Sequence, residues 1–84
     1  MWTANGERFN ERAMTCAMRS RKWGTLWKVT NRANGKSVIV RLNDFGPGKK
    51  PAKQGVVIDL TPRAFKKLGG KGGEIKVRVE KLKK

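Results

Sequence analysis

The sequence predicts a small, mostly β fold, a single barrel-like domain over residues 1–84 with one or two short helices. Three observations carry this expectation. Apolar residues recur at period two in several short runs separated by Gly, Pro and Asn turn signals. Helical spacing is confined to one short stretch after residue 61. With 37% hydrophobic residues, three Trp and three Phe, the chain has enough apolar material for a core, although a domain of 84 residues buries only about 60–65% of the surface its unfolded chain exposes.

In chain order, Asn5-Gly6 marks a first turn, and Phe9 and Met14 are expected core anchors. Met14 to Met18 fits a short strand ahead of Trp23-Gly24-Thr25. Leu26 to Asn31 is rich in β-formers and is followed by Asn34-Gly35, a pair suited to a turn that needs positive φ. This predicts a hairpin. Its second arm, Ser37 to Asn43, places Val38, Val40 and Leu42 on one face and Ile39 and Arg41 on the other.

Asp44-Phe45-Gly46-Pro47-Gly48 breaks that strand, and Lys49 to Gln54, with Pro51 inside it, reads as an exposed basic loop. Val56 to Leu60 is a nearly continuous apolar run of the kind found in strands buried on both faces, with Asp59 set inside it. Thr61-Pro62 supplies an N-cap and a proline at the first helical position. Ala64, Phe65 and Leu68 then recur at helical spacing until Gly69-Gly70 stops the turn. Ile75, Val77 and Val79 alternate with charged residues in a last strand with one wet face.

Charge and composition narrow the function. Lys plus Arg number 21 against 6 Asp plus Glu, a formal net charge of +15, which points to an anionic polymer as partner. The chain has no His and one cysteine, Cys16, so a Ser/His/Asp triad, an intrachain disulfide and a zinc-type ligand cluster are excluded. No metal and no cofactor are expected. No apolar run approaches the ~20 residues that span a bilayer, and the first residues lack the apolar core of a signal peptide.

Taken together, the segments Thr3 to Phe9, Ala13 to Ala17, Trp23-Gly24-Thr25, Val29 to Asn31, Asn34 to Val38, Arg41 to Pro47, Ile58 to Thr61 and Val77 to Glu80 stand in an order and spacing that resembles the double-psi β-barrel domain of the rare lipoprotein A family, a relative of the barwin and expansin domains. The resemblance implies a six-stranded barrel. Before the Thr3-Ala4-Asn5-Gly6 segment the family has a strand that is reduced here to Met1-Trp2, which leaves an edge open and makes the chain either a monomer or an edge-paired homodimer. It also implies a cell-envelope location, with no signal sequence in this chain, and action on peptidoglycan as a lytic transglycosylase. The Asp of the Asn-Asp-x-Gly-Pro turn, which serves there as acid and then base, corresponds to Asp44. The family's assisting His has Met18 in its place.

Asp59 is the second carboxylate of interest. In an apolar run it must be protonated, hydrogen-bonded or paired, for instance to loop amides or to Arg41; if it converges on Asp44, like-charge coupling makes one of the two suited to act as an acid. Glu7 reads as a solvated turn residue. Trp23 and Trp27 offer flat faces for stacking on sugars, one expected in the core and the other in a groove. Thr15 and Asn43 stand in family-like segments as substrate-binding residues, and Arg19, Arg21, Lys22, Arg41 and the Lys49, Lys50 and Lys53 loop are expected to form a basic rim. Cleavage or binding of peptidoglycan or another anionic glycan is the first reading. A small basic β barrel binding nucleic acid through phosphate contacts and base stacking is the second, and a barrel scaffold retaining no activity is the third.

Overall fold

The computed structural model describes residues 1–82. Its centre is a five-stranded mixed sheet of β1 (Thr15–Met18), β2 (Leu26–Asn31), β3 (Ser37–Phe45), β4 (Asp59–Leu60) and β5 (Val77–Lys81), in the order β4-β1-β3-β2-β5. Two short helices, α1 (Lys49–Lys53) and α2 (Pro62–Lys67), complete it.

The hairpin forms where the turn residues place it. β2 and β3 pair antiparallel with Trp27 opposite Val40 and Val29 opposite Val38. Of Asn34-Gly35 only Gly35 takes positive φ, at 78°. Asn34 instead accepts the Lys36 amide on its Oδ1, while the Gly35 N–H donates to the Asn31 carbonyl. On β3, Val40 and Leu42 are fully buried and Ile39 is exposed, as period two requires.

The α2 helix packs its apolar face on this sheet. Thr61 caps it by accepting the Ala64 N–H at 3.3 Å, Pro62 occupies the first turn, and Gly69 at φ 73° ends it. Ala64 and Leu68 join Cys16, Val29, Val40 and Leu42 in the buried core. Asn31 and Asn34 both donate Nδ2 to the Leu68 carbonyl, so the helix C-terminus is bound to the hairpin it covers.

Several expectations are corrected. Lys49 to Lys53 is a helix rather than a loop: Pro51 falls in its first turn, where the missing N–H breaks no intrahelical bond. Val56 to Ile58 is not a strand. Only Asp59–Leu60 pairs with β1, and Val57 is 56% exposed, because the segment finds a partner strand for two residues alone. Phe9 is 40% exposed and is not a core anchor, whereas Met14 packs against the core. No helix among the described residues is long and apolar enough to cross a membrane.

Candidate functional site

The central event is the parallel pairing of β1 with β3. It sets Thr15 beside Arg41, Cys16 beside Leu42 and, after an irregularity between Cys16 and Ala17, Ala17 beside Asp44. On its other edge β1 pairs antiparallel with β4, with Ala17 opposite Asp59 and Cys16 opposite Leu60. Ala17 therefore has an aspartate on each side. Residues far apart in sequence become neighbours through one four-residue strand.

The result is a small cavity of about 120 Å³ lined by Thr15, Asn43, Asp44, Asp59 and Thr61, with Phe9 as its aromatic wall. Four of the residues selected from the sequence, Thr15, Asn43, Asp44 and Asp59, meet here. Asp59 is exposed, not enclosed in an apolar strand, so its charge is hydrated rather than bound to Arg41. Buried Cys16 also borders the cavity, and its thiol is pushed up to about 12 by burial, with the nearby Asp59 charge acting in the same direction. It stays protonated at neutral pH.

Asp44 is held by its backbone surroundings. Its Oδ1 accepts the Ala4 N–H at 2.9 Å and the Phe45 N–H at 2.8 Å, leaving Oδ2 outside these two bonds. The Ala4 contact comes from the Thr3–Glu7 turn, which docks on β3 a second time where the Asn5 N–H donates to the Asn43 carbonyl at 3.3 Å. Arg19 and Arg21 place their guanidinium groups over the Phe45 ring at 5.2 and 4.3 Å, and Arg19 Nη1 donates to the Pro47 carbonyl. Asp44 is thus held at Oδ1, and the residues after it in the turn are held by the two arginines.

Glu7 adds a partner that the sequence reading did not foresee. It closes the turn and keeps part of its side chain in solvent, but it is paired: Arg41 donates to both its carboxylate oxygens, at 2.7 and 2.9 Å, and Asn43 Nδ2 donates to Oε1 at 3.0 Å. Hydrogen bonds from Arg41, then Asn43, hold the Glu7 carboxyl down to about 2. Arg41 is consequently the anchor of the N-terminal turn and stands outside the residues that line the cavity.

A second, larger cavity of about 470 Å³ has apolar walls from Met18, Trp27, Val56 and Val57 and cationic walls from Arg19, Lys22 and Lys81. Met18, where the family resemblance expects histidine, opens here rather than beside Asp44 and Asp59. Trp27 is the groove tryptophan of the expected pair, and Trp23 packs against the core without lining either cavity. Trp27 also packs against that core, so it belongs to both. Lys49, Lys50 and Lys53 lie on α1, which contributes Ala52 to this cavity. Phe9 and Lys81 were missed by sequence reasoning; Phe9 had been read as core, and Lys81 gains its place only from the β2–β5 register that sets it opposite Trp27.

Comparison with known proteins places the chain in a family. The family model described as lytic transglycolase matches residues 1–79. The chain belongs to this family. Similar proteins include a probable endolytic peptidoglycan transglycosylase RlpA of Nostoc sp., 52% identical over 81 residues that make up 95% of this chain and 21% of the relative. The endolytic peptidoglycan transglycosylase RlpA of Rickettsia typhi is 46% identical over 95% of this chain and 24% of its own length. That of Pseudomonas aeruginosa is 46% identical over 93% of this chain and 22% of its own length. The chain spans between a fifth and a quarter of these relatives. The fold is accordingly that of the family's double-psi β-barrel domain.

Proposed function

We propose that this domain binds the glycan strand of peptidoglycan in the cell envelope and cleaves it as a lytic transglycosylase, with Asp44 as the acid and then the base. The observation that carries the reading is the meeting of Asp44, Asp59, Asn43 and Thr15 in one cavity of a chain belonging to the lytic transglycolase family. The names of its relatives support the choice of peptidoglycan.

The chemistry follows from the groups present. Cleavage needs a proton on the leaving glycosidic oxygen and negative charge near the oxocarbenium-like carbon. Asp44, oriented through Oδ1, has Oδ2 to deliver the proton, and the leaving C–O bond breaks. Asp59, across Ala17, supplies negative charge to the cationic centre. The Asp44 carboxylate then removes the proton of the sugar's own C6 hydroxyl as that oxygen attacks C1, which closes a 1,6-anhydro ring and restores the acid. Thr15 and Asn43 supply hydrogen bonds for hydroxyl and acetamido groups, and Phe9 an apolar face.

Met18 favours a second reading, glycan binding without cleavage, since a thioether neither gives nor takes a proton. One experiment separates the two. The domain and its Asp44→Asn variant are incubated with amidase-stripped glycan strands, and products are analysed by mass spectrometry. Anhydro-muramic ends formed by the parent and lost in the variant support cleavage; co-sedimentation with sacculi and no anhydro ends supports binding alone. Retention of nucleic acid in preference to glycan overturns both.

A further inference from the structure

The end of β3 opposite Asp44 carries a concentration of charge that glycan cleavage does not use. Three elements meet there. Asn31 and Asn34 of the β2–β3 hairpin donate to the Leu68 carbonyl at the end of α2, and the Arg32 N–H donates to the Lys76 carbonyl at 3.1 Å, so the segment between Leu68 and Lys76 is strung from helix to hairpin. A Cβ on Gly69 would lie 2.7 Å from Asn34 Nδ2 and 3.9 Å from Lys36 Cδ, which shows how closely the helix end is applied to the hairpin tip. Arg32, Lys36, Lys66, Lys67, Lys71 and Lys76 stand on these three pieces, and all are exposed.

These cations are not neutralised by the fold. Glu74 is the one carboxylate on the same segments. Glu7 is bound to Arg41, Glu80 to Arg78, Asp44 and Asp59 line the small cavity, and Glu11 stands at the other end of α2, where its carbonyl accepts the Arg63 N–H. None of the cations at this end forms an ion pair among the described residues. Their mutual repulsion is relieved when a negative surface covers them.

The form of the patch selects the kind of polyanion. Its cations line neither cavity, so they follow no groove that would seat a single strand. Between them the backbone is bare: a Cβ on Gly72 or Gly73 would meet nothing within 4 Å. The amides of Lys71, Gly72 and Gly73 donate to no backbone carbonyl among the described residues, which leaves N–H groups to face phosphate oxygens. All but Arg32 are lysines, compact charges on flexible stems that meet many separate phosphates rather than fork onto one. An open face of this kind fits a lattice of headgroups.

We propose that this face docks the domain on an anionic phospholipid surface, through Lys36, Lys66, Lys67, Lys71, Lys76 and Arg32. The orientation follows from β3. A strand rises about 3.3 Å per residue, so the length from Ser37 to Asp44 separates the docked face from the aspartate cavity by about 20 Å. The cavity stays open while the domain is docked. The proposal is independent of the glycan reading, and its test contains no glycan.

The whole chain is sedimented with vesicles of phosphatidylcholine alone and with vesicles in which ~30% of the lipid is phosphatidylglycerol. The parent is expected to sediment with the anionic vesicles and to stay in solution with the neutral ones. Lys36→Gln combined with Lys67→Gln and Lys71→Gln is expected to lower the partition coefficient on the order of 100-fold, from about fivefold per lysine near a charged surface. Lys71→Gln alone is expected to cost about fivefold. Lys49→Gln with Lys50→Gln and Lys53→Gln removes the same charge from α1, which follows the Asp44 end of β3, and is expected to cost less than about fivefold. The hydrogen bonds of Lys36 use its backbone, so the replacements leave the fold intact, as an unchanged thermal melt checks.

Equal loss in the two triple variants overturns the proposal in favour of the general field of a chain carrying +15. Failure of the parent to sediment with the anionic vesicles, or equal sedimentation with both kinds, overturns it outright. A single-stranded oligonucleotide that binds more tightly than the anionic vesicles and is lost in the Lys36/Lys67/Lys71 variant assigns the face to nucleic acid instead.

Discussion

Thr61 joins the rigid part of the fold to the candidate site, and its replacement by alanine has a cost that can be worked out bond by bond. Its Oγ1 accepts the Ala64 N–H at the start of α2 and donates to the Ala13 carbonyl at 2.6 Å. Its own N–H donates to Thr15, and its side chain lines the cavity with Asp44 and Asp59. Loss of an N-cap costs about 1 kcal/mol, and a half-buried carbonyl left without its donor costs about 1–2 kcal/mol. Thr61→Ala should therefore destabilise the domain by about 2–3 kcal/mol, a fall in melting temperature of roughly 10–20 °C for a chain of this size. Thr61→Ser retains both hydroxyl bonds and should lose less than about 1 kcal/mol, the value of one methyl group. Urea unfolding followed by circular dichroism measures both variants, with an unchanged m-value as the check that the unfolding transition is the same. A Thr61→Ala loss below about 0.5 kcal/mol, or a Thr61→Ser loss as large as that of alanine, refutes the assignment of the hydroxyl as the fastening point.

Other outcomes follow from the same structure. The Glu7 carboxyl is held at about 2 in the folded chain against 4.5 ordinarily, so its contribution is fully present above pH 4.5 and is lost as the pH falls through about 2. Thermal unfolding between pH 2 and 6 should show stability rising with pH, and Glu7→Gln should flatten that rise. The Cys16 thiol, raised to about 12 and buried, should resist Ellman's reagent at pH 8 and react only as fast as the chain opens, which parallel rates across urea concentrations would show. Leu42, fully buried on the central strand, should cost about 2–5 kcal/mol when changed to alanine, measured by the same urea titration.

Local signals made much of the fold legible. The β2–β3 hairpin, the capped α2 and the alternation of β5 each depend on residues within a few positions of one another. Pro51 misled because proline in a basic stretch reads as loop, yet the first turn of a helix accepts it. The apolar run at Val56 to Leu60 misled because hydrophobicity alone does not supply a partner strand; β1 pairs with two of its residues and leaves Val57 in solvent.

The site was legible in its members but not in its assembly. Thr15, Asn43, Asp44 and Asp59 were selected through family resemblance, and only the parallel β1–β3 and antiparallel β1–β4 pairings bring them together. The Glu7–Arg41 pair spans 34 positions and belongs to no local pattern. Arg41 was assigned to a basic rim for its charge, whereas a carboxylate within reach redirected it to holding the N-terminal turn.

The most direct test of the account is a backbone amide NMR titration of the domain with peptide-free glycan strands. The account predicts that the largest shifts fall on Asn43, Asp44, Asp59, Leu60 and Thr61, while Lys66 and Lys67 on α2 stay in place. Shifts confined to α2 and the Gly69–Gly73 segment, or none at saturating glycan, would contradict it.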